Sequence, residues 1–177
     1  MILFQSKTAI RHLSFGVAIL VSLLMTGCRG CADGNTEEHK DHTEEESVNI
    51  ILSQPQVFDA QSIDELAAKI RAGGDITSEN VANMIVLAEA TSNKVEMEVE
   101  NLMRVDDPAD TYHTLHGFAD AQWYIDYRTI YDFLQSATLS DEFASRVGTL
   151  KAANSRLDIL VTELEKKHLK GENVLDF

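Results

Sequence analysis

Residues 139–171 read Leu139-Ser-Asp-Glu-Phe-Ala-Ser-Arg-Val-Gly-Thr-Leu150-Lys-Ala-Ala-Asn-Ser-Arg-Leu-Asp-Ile-Leu160-Val-Thr-Glu-Leu-Glu-Lys-Lys-His-Leu-Lys170-Gly. Apolar residues recur at Phe143, Val147, Leu150, Leu157, Leu160, Val161 and Leu164, steps of three and four that put them on one face of an α-helix. The ends are marked as well. Ser140 stands at the N-cap, and Asp141 and Glu142 follow it at the positive end of the helix dipole. Lys166, Lys167 and Lys170 gather in the last turn, and Gly171 stops the helix. A helix with one apolar stripe must bury it against a neighbour, so this stretch predicts a helical assembly.

Working outward, the preceding segment supplies the neighbour. Asp107 caps and Pro108 opens a helix expected to run to about Ala137, through Tyr112, Leu115, Ala119, Trp123, Tyr127, Ile130, Phe133 and Leu134. Before it, Thr77 caps another, with Ile76 and Val81 in the staple positions. The stripe of that helix passes through Met84, Ile85, Ala88, Val95, Val99, Leu102 and Met103. A shorter helix opens on Ser62-Ile-Asp-Glu65, a capping-box pattern, and stops at Gly73-Gly74. Three long helices joined by short loops must run up and down. The expected fold is all-α: an antiparallel helical bundle of three long helices plus a short N-terminal helix over residues 48–177.

Several residues could carry chemistry. Asp110-x-x-His113 opens one long helix and Glu165-x-x-His168 closes the next. Carboxylate-x-x-His is a spacing found in bundle metal sites, and antiparallel pairing would bring these ends together. Two further glutamates at mid-bundle would be needed to complete such a site, and the stripes supply none. His116 is expected in the core, and Asp126 is expected to pair with Arg146 across the hairpin. Every Tyr and the single Trp lie between Tyr112 and Tyr131. Tyr124, Arg128 and Tyr131 form a line set off from the Trp123/Tyr127 stripe. Tyr and Arg dominate protein–protein hot spots, so this line is the candidate partner surface. There is no Gly-x-Ser-x-Gly, P-loop, Gly-x-Gly-x-x-Gly or His-Glu-x-x-His, so neither an enzyme nor a cofactor is expected.

The first 27 residues have another character. Lys7 and Arg11 precede an uncharged, mostly apolar run from Leu13 to Thr26, and no acid occurs before Cys28. The run is shorter than the roughly 20 residues a spanning helix needs, which marks it as an export signal. Leu24-Met25-Thr26-Gly27-Cys28 resembles the lipobox of bacterial lipoproteins, with Met25 where that class usually has Leu. The resemblance implies a diacylglyceryl thioether on Cys28, cleavage before it, and acylation of the new amino terminus by a fatty acid such as palmitate. Arg29, rather than Asp, after the cysteine leans toward the outer membrane, with the periplasmic or surface side open. Cys31 is then a lone thiol.

Residues 28–47 are polar and acidic, too poor in apolar side chains to fold alone, and are expected to form a disordered tether. Removal of residues 1–27 takes away two bases and moves the formal charge from −14 to −16. Nucleic acid is excluded by that balance. Two functional readings remain. In one, a lipid-anchored helical module binds an envelope protein or a second copy of itself. In the other, a small ligand or metal, with a possible enzymatic role, uses the Asp110/His113/Glu165/His168 end.

Overall fold

A computed structural model describes residues 43–177, and among them every regular element is helical. The helices are α1 (Thr43–Ser53), α2 (Ala60–Arg71), α3 (Ser78–Val105), α4 (Pro108–Ala119), α5 (Gln122–Ser136) and α6 (Asp141–His168). The leader, Cys28 and most of the acidic stretch lie outside the described residues.

The two 28-residue helices, α3 and α6, set the frame. Along α3 the buried positions 81, 85, 88, 92, 95, 99 and 102 advance by alternating fours and threes. Along α6 positions 143, 147, 150, 154, 157, 161 and 164 do the same, 62 residues later at every step. This is the 3.5-residue seam of a coiled coil. Polar residues occupy the same step of both seams: Ser92 Oγ donates to Asn154 Oδ1 at 2.8 Å. Glu89 pairs with Arg146, Glu96 with Arg156 and Asp106 with Lys167, in rising order on both helices, so α3 and α6 are parallel. The chain between them must therefore return from the end of α3 to the start of α6, as short loops require.

That return is made by two helices, not one. The expected helix from Pro108 to about Ala137 breaks at Asp120-Ala121, where Ala121 is extended (φ −76, ψ 128). On an unbroken helix Phe118 and Trp123, five residues apart, would point about 140° away from each other. The break lets their rings meet edge to face at 5.5 Å, and Phe58 closes on Trp123 from the chain before α2 at 5.4 Å. Aromatic burial thus outweighs helix continuity.

Local signals fix most helix ends. Thr77 and Asn80 form a reciprocal capping box at α3. Asp107 accepts from Ala109 and Asp110 at α4, with Pro108 in the first turn. One cap differs from expectation. Asp59, not Ser62, caps α2, and Ser62 donates its hydroxyl back to Asp59 at 2.7 Å, which together with the Ser62 N–H holds the Asp59 carboxyl below its usual range. Ser140 occupies the N-cap of α6 but makes no side-chain cap bond. Residues 43–47, expected in the tether, belong to α1. Glu44, Glu45 and Glu46 sit in its first turn, where the dipole favours them, and Val48, Ile51 and Leu52 supply an apolar edge against the core. Arg146 fastens α1 to the frame, bonding both Glu89 and the Leu52 carbonyl.

Candidate functional site

Of the Tyr124/Arg128/Tyr131 line, the two tyrosines are buried and Arg128 stays part-exposed. Tyr124 is 7% exposed and Tyr131 4%. Tyr124 and Arg128 meet the protein's own segment after α6. Gly171, in the left-handed region at φ 82, ends the helix and turns the chain back. Tyr124 Oη donates to the Asp176 carbonyl at 2.6 Å and accepts from the Asp176 N–H at 3.0 Å. Arg128 bonds the same carbonyl, and its Nη2 lies 3.3 Å from the Asp176 carboxylate. Phe177 packs edge to face on Tyr124 at 5.7 Å, and Leu175 is buried. Two members of the expected partner surface, Tyr124 and Arg128, thus form an internal clamp on the segment after α6. Its sequence signal was Val174-Leu175 and Phe177, apolar residues beyond the Gly171 stop.

The four-residue metal set is not assembled either. Glu165 is buried, and its Oε1 accepts from the backbone N–H groups of Val174 (2.7 Å) and Leu175 (3.0 Å). It is a cap for the returning segment. His168 faces Asp106, with Nε2 3.0 Å from Oδ1 but not aligned as a hydrogen bond. Lys167 also reaches Asp106, whose backbone closes α3 in the left-handed conformation (φ 59), and this hydrogen bond holds the Asp106 carboxyl below its usual range. Asp110 and His113 are exposed on α4. Among the described residues no three His, Cys, Asp or Glu side chains are grouped to hold a metal ion.

Other ionisable groups find structural partners different from those expected. Asp126, fully buried, accepts from Arg71 at 2.6 Å and Gln122 at 3.1 Å on one oxygen, while its Oδ2 has no partner. Arg146 pairs with Glu89 instead of Asp126 because α2 intervenes at α5 and supplies Arg71. His116 rests against the Tyr112 ring at 4.2 Å with its Nε2 buried and unpartnered.

At the centre, Asn154 Nδ2 donates to Tyr127 Oη at 2.5 Å, extending the Ser92–Asn154 bond into a chain across α3, α6 and α5. Burial pushes the phenols of Tyr124, Tyr127 and Tyr131 above their ordinary value. Tyr127 and Tyr131 stack with centroids 6.0 Å apart. This arrangement orders the core. A recess lies elsewhere, as an open groove of about 870 Å³ where the starts of α1, α3 and α6 meet.

Compared with protein-family models, with curated proteins and with solved structures, the chain matches none.

Proposed function

We propose that the protein is a lipid-anchored lipoprotein of the bacterial cell envelope, whose helical body serves as an interaction or structural module. The observation that carries the reading is Leu24-Met25-Thr26-Gly27-Cys28 at the end of a basic-then-apolar leader. A thioether-linked diacylglycerol and an amide-linked fatty acid on Cys28 would hold the protein firmly, since one chain alone is marginal. Arg29 directs it to the outer membrane. Residues 29–42 act as a polar spacer, with a reach of about 45 Å if fully extended. Among the described residues no helix is long and apolar enough to cross a membrane, consistent with attachment through Cys28.

Support for a non-catalytic body comes from what its polar side chains do. Ser92, Asn154 and Tyr127 bond one another, Glu165 caps the returning segment, and Arg71 and Arg146 neutralise Asp126 and Glu89. Acid–base catalysis needs such groups convergent on an open pocket. The test is fractionation of cells producing the Cys28→Ser protein. The unaltered protein is expected with the membranes, and the variant in the soluble or uncleaved fraction. Equal membrane retention of both would overturn the anchor.

A further inference from the structure

We infer that the groove where α1, α3 and α6 begin receives a polypeptide segment whose apolar side chains are flanked by Lys or Arg. The inference deepens the interaction-module reading and rests on it. Val48, Val81 and Phe143 form the floor, each 7–8% exposed, and the half-buried Ile76 and Leu139 extend it toward solvent. The rim carries Glu44, Glu45, Asp141 and Glu142, all exposed. No Lys, Arg or His lines the groove, and none of the four carboxylates makes an ion pair among the described residues.

The helix dipole accounts for an acid in the first turn of a helix. It does not account for a recess between two such starts in which the half-buried Ile76 and Leu139 stay within reach of solvent. An apolar channel with a rim of one charge is complementary to an amphipathic segment of the opposite charge. The alternatives fit less well. Anionic headgroups and nucleic acid are repelled by the rim. An isolated cation has no use for the floor. A second copy brings a formal charge of −16, and residues 29–42 hold four acids (Asp33, Glu37, Glu38, Asp41) against two bases (Arg29, Lys40).

The probe is a fluorescently labelled peptide of leucines and lysines in helical three–four spacing, titrated by anisotropy against the lipid-anchored protein in zwitterionic nanodiscs, with empty nanodiscs as reference. Binding is expected to weaken about tenfold or more in Glu44→Gln/Glu45→Gln/Asp141→Asn/Glu142→Gln. It should change less than about twofold in Glu100→Gln/Asp110→Asn/Glu163→Gln/Glu172→Gln, which removes the same charge away from the groove. A probe with alanine for leucine is expected to lose about tenfold as well. Absence of binding, equal weakening in both variants, or an alanine probe that binds as well would each overturn the assignment. So would self-association in sedimentation that the groove variant abolishes, because the occupant would then be a second copy. The mass of Cys28 is measured on the same sample. A lipidated protein that ignores the peptide removes the groove and leaves the anchor, and the converse result removes the anchor alone.

Discussion

Asn154 shows how much a single side chain settles. It accepts from Ser92 and donates to Tyr127 inside the core, fully buried. Asn154→Ala would strand both hydroxyls, and a buried group left without its partner costs about 1–3 kcal/mol. Urea unfolding of Asn154→Ala is expected to show a loss of about 2–3 kcal/mol, and of Ser92→Ala a loss of about 1 kcal/mol. Hydrophobic patterning could not single these residues out, because each is a gap in its stripe: Ala88 to Val95 in α3, Leu150 to Leu157 in α6. The legible clue was that the two gaps stand at the same step. The tyrosines carry a pH prediction. Burial raises Tyr124, Tyr127 and Tyr131 above the ordinary value of about 10, so folding favours the neutral phenol. Their contribution is complete below pH of about 10 and is lost as pH climbs through the raised values. In Tyr112→Phe protein, which leaves these three alone, near-ultraviolet phenolate absorbance should stay low to pH of about 10 and then rise together with loss of helical circular dichroism. Half-ionisation at pH of about 10 with the helices intact would contradict it.

Among the elements, the long helices were written plainly and the returning arm was not. Thr77, Asp107 and Gly171 mark helix ends by local chemistry, and α3 and α6 appear where their stripes and caps place them. The break at Asp120-Ala121 has no proline and no glycine of its own, and it depends on Phe118, Trp123 and Phe58 meeting in space. No short window of sequence contains that meeting. The same distance effect hid the clamp, since Tyr124 and Asp176 are 52 residues apart. Tyr124 and Arg128 have the composition of a hot spot because they do bind a peptide segment, one supplied by their own chain. The break also leaves α5 without a side-chain cap, as Ala121 occupies its N-cap. Ala121→Ser is expected to stabilise the fold by about 1 kcal/mol, read as a higher urea midpoint at unchanged slope. An unchanged or lower midpoint would mean that the methyl group's packing matters more than the cap.

For the whole molecule, charge, anchor and groove point one way. A body of strongly negative charge is poorly suited to lying on anionic lipid, so the proposed attachment rests on Cys28. The frame of α3 and α6 is about 42 Å long, and the groove lies at the end where both begin. That end also holds α1, the first described element. The helical class was legible because one-sided stripes leave few other solutions. The choice of interaction surface was not, because exposure depends on which neighbours a helix acquires. The most direct measurement is mass spectrometry of the amino terminus of the protein purified from bacterial membranes. A chain beginning at Cys28 that carries a diacylglyceryl thioether and an amide-linked fatty acid is the expected result. An unmodified Cys28, or residues 1–27 still attached, would contradict the lipoprotein assignment.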